Sequence, residues 1–272
     1  MDLPQLRSKS LQYRLQTLAA IKHANAGHTG GSLSCIDILN VLYNRVLRVS
    51  PESFFSPDRD RYVQSKGHSV EALYTVLADR GFFSADQLKT LNQFGSPFIG
   101  HPTRKVPGIE QNTGALGHGL SYAVGVALAG KLDGRLYRVF TLLGDGELAE
   151  GSNWEAAMAA SHYQLDNLVA IVDRNGLQIT GPTEEVVQLE PLDQKFAAFG
   201  FAVRECDGND LGQLCDHLSA VPFAVGQPSL LIAHTRKGKG VSFMENSAGW
   251  HHRVPNDAEY EQALRELAAS RQ

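Results

Sequence analysis

Residues 144–181 read GDGELAEGSNWEAAMAASHYQLDNLVAIVDRNGLQITG. The apolar run just before them, LYRVFTLL (Leu136–Leu143), predicts a strand; Ser152–His162 predicts a helix and LVAIVD (Leu168–Asp173) a second strand. Such a unit closes as a crossover between parallel strands, which sets the two carboxyl ends side by side. Asp145, in the Gly144-Asp145-Gly146 turn, and Asn175, just past the second strand, should therefore face one crevice. A carboxylate, a carboxamide and a loop carbonyl are hard oxygen donors, suited to Mg²⁺ or Ca²⁺ rather than zinc. The flanking glycines let a bulky anion approach the backbone, and a helix N-terminus there favours negative charge. The segment thus describes a diphosphate held through a divalent cation. A Gly-Asp-Gly turn by itself would not carry that conclusion, because Asp and Asn commonly finish turns.

On either side of this unit, helical patterns dominate the first half of the chain and strand–helix alternation the second. Leu6, Leu11, Leu15, Leu18 and Ile21 follow one face of a helix over residues 5–24. Ser34 reads as the cap of a helix through IDILNVLYNRVL, and Ser84 with Gln87 as a capping box before DQLKTLNQF. From Ala115, ALGHGLSYAVGVALAGKL is a small-residue helix able to pack closely. FAVREC (Phe201–Cys206) and PSLLIAHT (Pro228–Thr235) are further strands, with a short helix near Gly212–Leu218 between them and a last helix over Ala258–Ala269. With no internal repeat and no linker, the economical architecture is one α/β domain over 1–272, a mostly parallel sheet flanked by helices.

The composition narrows the function classes. The chain has 272 residues, 43% hydrophobic and 20% charged, with a net charge of −4. Those values fit a globular enzyme part, and the absence of a long basic run argues against nucleic-acid binding. No apolar stretch approaches the roughly 20 residues that span a bilayer, so no membrane association is expected. Cys35, Cys206 and Cys215 are odd in number and unspaced for zinc, and the N-terminus lacks the apolar core of a signal peptide. The expected compartment is the cytoplasm.

The ten histidines are the second signal. Several sit in glycine-rich loops: NAGHTGG (His28), SKGHS (His68), IGHPT (His101) and GWHHR (His251, His252). Imidazole is suited to proton transfer near neutral pH, and loops at strand carboxyl ends are where such groups converge. Zinc is a poorer explanation, since no HExxH is present and no cysteine joins at ligand spacing.

In order along nearly the whole chain, these segments resemble the transketolase family. GDGELAEG with its later Asn175 is similar to the family's thiamine diphosphate motif, GDGxLxEG. NAGHTGG is similar to its SGHPG loop, DRYVQSKGHS to DRFxLSxGH, GHPTRKVPGIEQNTGALGHGLSYAVGVA to the GHPE block, and KGKGVSFMENSAGWH to KGxG…WHG. The resemblance implies the N-terminal, diphosphate-binding subunit of a split transketolase made as two chains. It implies thiamine diphosphate with Mg²⁺ (Ca²⁺ or Mn²⁺ as substitutes), held by Asp145, Asn175 and the carbonyl of Leu177. Gly146, His68 and His251 match positions touching the diphosphate; Gly114 and Leu116 match the lining of the aminopyrimidine pocket. His28, His101 and His251 match the histidines that act on substrate hydroxyls and the carbonyl oxygen, and Glu150 an interface glutamate coupling two active sites. His251 is preferred to His252 because it follows Trp250.

The family's catalytic glutamate, which bonds the aminopyrimidine, and most phosphate-gripping arginines lie in other domains. The expectation is that a separate C-terminal subunit, carrying the pyrimidine-binding and C-terminal domains, supplies them in an α2β2 assembly. The implied activity is transfer of a two-carbon ketol unit from a ketose phosphate to an aldose phosphate. Departures at Thr29, His118 and Arg253 border the substrate channel and leave sugar identity open. A narrower alternative is an enzyme for an unusual ketose, apulose 4-phosphate or sulfofructose; a non-catalytic regulatory homologue is the non-enzyme alternative. A dinucleotide site is disfavoured, because Gly114–Gly119 is not GxGxxG and no strand directly precedes it.

Overall fold

The computed structural model describes residues 1–269. Its central sheet has five strands: β1 (Arg61–Gln64), β2 (Val139–Gly144), β3 (Leu168–Arg174) and, beyond the small hairpin β4–β5 (Leu177–Gln178, Gly181–Pro182), β6 (Ala202–Asp207) and β7 (Ser229–His234). Their spatial order is β1-β2-β3-β7-β6, and every neighbouring pair is parallel. Gly144 pairs with Asp173, so the ends of β2 and β3 are level, as the crossover argument requires. Among the described residues, no helix is long and apolar enough to cross a membrane.

Both faces of the sheet are covered, which is why its central strands read as continuous apolar runs rather than alternating ones. One layer holds α1 (Leu3–Ala24), α2 (Thr29–Ser34), α3 (Ile36–Val41) and α4 (Val70–Asp79); the other holds α5 (His118–Leu132) and α6 (Gly151–His162). Phe140, Leu142, Val169 and Ile171 face the first layer, and Val139, Leu143, Leu168 and Ala170 the second. After the short turn α7 (Thr183–Val186), α8 (Leu192–Ala198) joins the second layer, whereas α9 (Leu211–Ser219) and α10 (Asp257–Ala269) join the first. The chain steps one way from β1 through β2 and β3 to β6, then back to β7. Right-handed crossovers therefore put α6 and α8 on one face and α9 on the other. The reversal opens a crevice at the carboxyl ends of β3 and β7, where open α/β sheets hold their ligands.

Three local expectations change. β1 was not foreseen, because a run of only four residues bounded by Arg61 and Gln64 carries no hydrophobic period. Ser34 caps nothing: it ends α2, its hydroxyl donates to Asp173 Oδ2 at 2.6 Å, and the next stretch is broken into α3 and a wider turn over Leu42–Val46. A side chain drawn into a buried polar cluster is unavailable to a helix end. Ser84 does cap, accepting from the Asp86 amide at 3.4 Å, but of a 3₁₀ turn, without the reciprocal Gln87 bond. The complete capping box lies at Asp2 and Gln5, ahead of α1.

Candidate active site

Four strand ends deliver the site. Ser65, Lys66 and His68 follow β1, Asp145–Glu147 follow β2, Asn175 and Leu177 follow β3, and Lys237 follows β7. They enclose a cavity of about 220 Å³ lined by Lys66, His68, Leu116, Asp145, Gly146, Glu147, Asn175, Leu177, Lys237 and His251, among others. Its floor is a buried ion pair, Lys66 with Asp173, the two side chains 1% and 0% exposed. Ser34 and Thr235 hydroxyls donate to the same carboxylate. Burial opposes the charge on Asp173, but Lys66 wins and holds the carboxyl below its ordinary range.

Above that floor, Asp145 is almost fully buried. Its Oδ1 accepts from the Gly146 amide at 2.8 Å, and its Oδ2 from the Gly176 amide at 2.6 Å and Arg174 Nη1 at 3.2 Å. Burial, then the neighbouring Asp173, push the Asp145 carboxyl above its usual range. Asn175 Oδ1 accepts from the Leu177 amide at 3.1 Å, which curls the loop so that Leu177 also lines the cavity. An added Cβ at Gly146 would fall 2.9 Å from the Gln178 side chain, so only glycine permits this turn against that loop. Among the described residues, no group of three or more His, Cys, Asp or Glu is arranged to hold a metal. A cation here would be held by mixed carboxylate, amide and carbonyl oxygens, the set that suits Mg²⁺.

Lys237 supplies the opposite charge. It is 1% exposed, and its ammonium meets two neutral acceptors, the Leu177 carbonyl at 3.2 Å and His251 Nδ1 at 3.1 Å. Burial, then repulsion from Lys66, bring it down to about 8. A buried ammonium beside neutral acceptors is poised for an anion. The oxygen donors and this lysine in one cavity fit a metal-bound diphosphate.

The histidine loops do converge. His28 lies at ring-centroid distances of 5.3 Å from His68, 6.0 Å from His101, 5.6 Å from His251 and 4.5 Å from His252, and His68 stacks on His251 at 5.2 Å. Burial, aided by the neighbouring histidines and Lys237, lowers His28 to about 4 and His251, where Lys237 is the larger neighbour, to about 3. Burial also lowers His68 and His101. These four imidazoles are neutral at pH 7. His251 lines the cavity, whereas His252 is exposed and rests on His28. Gly114, at φ +136°, lets the backbone pass His101, where a Cβ would fall 2.6 Å from Cδ2. His28, His101 and Gly114 lie beside the cavity rather than in its lining, and Glu150 stands apart from both groups, exposed ahead of α6.

Several groups were missed. Lys66 and Lys237 lie inside SKGH and RKGKG, segments valued for their glycines and histidine rather than their lysines. Glu147 sits between the glycines and Glu150 of the motif; it is buried, accepts from the Gly117 amide at 2.8 Å and the Gly144 amide at 3.0 Å, and ties the α5 loop to the site. Glu71 lies under the His28 loop, accepting from the His28 amide at 3.2 Å and Ser32 Oγ at 2.8 Å, and burial pushes it up to about 7. A lone acid in an apolar helix gives no sequence signal of that position. Two departures meet: Thr29 Oγ1 donates to the Arg253 carbonyl at 2.6 Å, clasping the His28 loop to the His251 loop.

Comparison with known proteins agrees with this geometry. Residues 8–270 match the family described as transketolase, thiamine diphosphate binding domain. The chain is 49% identical over 268 residues to one of the subunits of the apulose-4-phosphate transketolase of Phocaeicola vulgatus, covering 98% of this chain and 95% of that protein. It is 41% identical over 255 residues to the 6-deoxy-6-sulfo-D-fructose transketolase subunit SqwG of a Clostridium species, covering 93% of each. Its fold superposes on Pichia stipitis transketolase, solved with sedoheptulose 7-phosphate, with a TM-score of 0.91 and 28% identity, covering 97% of this chain and 41% of that one. The chain spans about two fifths of the length of that transketolase chain. It belongs to the transketolase family, as a thiamine diphosphate binding domain.

Proposed function

We propose that this chain is the diphosphate-binding subunit of a two-chain, cytoplasmic transketolase that moves a two-carbon ketol unit from a ketose phosphate to an aldose phosphate. The observation that carries the reading is the one cavity lined together by Asp145, Asn175 and Leu177 and by Lys237, His68 and His251. Bound thiamine diphosphate supplies the electron sink for cleaving the ketose carbon–carbon bond. Asp145, Asn175 and the Leu177 carbonyl hold Mg²⁺, with Ca²⁺ or Mn²⁺ as substitutes. His68, His251 and Lys237 meet the anionic end, and Gly114 and Leu116 line the aminopyrimidine side. The neutral imidazoles of His28, His101 and His251 bind the substrate hydroxyls and pass protons at the carbonyl oxygen.

The domain is incomplete for catalysis by itself. The C-terminal subunit brings the pyrimidine-binding domain and its glutamate, and the exposed Glu150 faces another chain across the assembly, which is α2β2. Apulose 4-phosphate is the favoured donor, supported by the relative that is 49% identical over almost the whole chain. The test is to isolate the complex with its partner and compare ketol transfer from apulose 4-phosphate, sulfofructose and common ketose phosphates. Fastest transfer from apulose 4-phosphate, lost on chelation of Mg²⁺, is expected. Transfer from none of them by a cofactor-loaded complex would favour the regulatory homologue.

A further inference from the structure

The residue between Asp173 and Asn175 is used by neither the diphosphate motif nor the histidine cluster, yet its side chain grips both flanks of the loop that builds the site. Arg174 closes β3 with its side chain only 9% exposed. All five of its guanidinium N–H groups have acceptors. Nη1 donates to Asp145 Oδ2 at 3.2 Å and to Thr183 Oγ1 at 2.6 Å. Nη2 donates to Glu184 Oε1 at 2.8 Å and Glu190 Oε1 at 2.9 Å, and Nε to Glu190 Oε1 at 3.2 Å. The two glutamates are themselves anchored: Glu184 accepts from the Leu189 and Glu190 amides, each at 3.3 Å, and Glu190 from the Leu192 amide at 2.9 Å.

One guanidinium therefore spans three carboxylates on both sides of the loop that carries Asn175 and Leu177. On one side it bonds the third oxygen donor, Asp145. On the other it pins residues 183–190, through which the loop must return. Thr183 reinforces the closure, since its amide donates to the Gly176 carbonyl at 2.9 Å. We propose that Arg174 is a positioning residue that pre-sets the oxygen cage, so that a divalent cation binds without the cost of ordering the loop. This rests on the assignment of Asp145, Asn175 and Leu177 as metal donors. A lysine cannot replace it, because a point charge with three donors on a flexible stem does not bridge three carboxylates in a fixed plane.

The test uses the full chain with Mn²⁺ and inorganic pyrophosphate as probes, bound Mn²⁺ being counted by electron paramagnetic resonance. Hydrogen exchange of residues 176–190 is followed in parallel without metal. Arg174→Met should weaken Mn²⁺ binding by roughly tenfold and speed exchange in that loop; the melting temperature falls as Asp145 loses its buried counter-charge, while exchange of the β2 and β3 amides stays near wild type. Arg174→Lys should be about as weak as the methionine variant. The double change Glu184→Gln, Glu190→Gln should move both readouts the same way by a smaller factor. No saturable Mn²⁺ binding by the wild type would remove the metal assignment itself. Wild-type binding left unchanged or tightened in Arg174→Met would overturn the positioning role alone, as would faster loop exchange with unaltered affinity.

Discussion

At the ends of β2 and β3 the charged groups are held by protein partners, whereas in the histidine loops the imidazoles pack mainly against one another. Lys66 has Asp173, Asp145 has Arg174 and two amides, and Glu147 has two amides and the Ser65 hydroxyl. At the other end His68 stacks on His251, and His28 Nδ1 is buried with no hydrogen-bond partner among the described residues. The contrast separates what this chain completes by itself from what it leaves open. The diphosphate end is a finished scaffold on strand termini. At the histidine end the imidazoles are kept neutral and have few hydrogen-bond partners among the described residues; on the proposed reading His28 and His101 await substrate, while His68 and His251 also border the diphosphate.

Four experiments probe that contrast. The largest effect belongs to the floor of the finished end. Asp173→Asn leaves the buried Lys66 ammonium without a counter-charge and should cost about 3–5 kcal/mol of stability, read as a lowered denaturation midpoint. A near-normal midpoint would show that the pair is dispensable. Next, Asp145→Ala should reduce Mg²⁺-dependent retention of thiamine diphosphate by the assembled complex by more than about 100-fold, measured by equilibrium dialysis. Full activity in that variant would sink the metal assignment. At the histidine end, His101→Ala should lower turnover by about 100-fold while cofactor affinity stays intact. Lost binding would instead move His101 to the cofactor side.

The smallest effect is on pH dependence. His28 and His251 are held down to about 4 and about 3, against an ordinary value of 6.5. As pH falls below about 6.5 the unfolded imidazoles take up protons before the folded ones, so stability drops from pH 6.5 down to about 4 through His28 and to about 3 through His251. His28→Asn should flatten part of that slope in urea titrations. An unchanged slope would mean that His28 is not buried as a neutral imidazole.

The parts of this site that were legible in the sequence are those where chemistry demands one residue type at one spacing. Asp145 and Asn175 follow apolar strands that announce themselves; His28, His68 and His101 sit beside glycines that mark loops, and His251 follows Trp250 two residues after one. What was illegible depends on burial by distant elements. Lys66 and Asp173 are far apart in sequence and become partners only when β1 is placed beside β2 and β3, and β1 itself is too short to show a period. Glu71 resembles any polar residue on a helix until the His28 loop folds over it. Arg174 gains meaning only from Glu184 and Glu190, which return to it after the hairpin.

Whether this chain is half of an active site can be decided by affinity purification of the tagged chain from its own host, with intact mass and cofactor content of whatever accompanies it. A stoichiometric second chain, in a complex that holds thiamine diphosphate and Mg²⁺, is the result expected of half an active site. A homo-oligomer with no second chain, turning over ketose phosphates by itself, would contradict it.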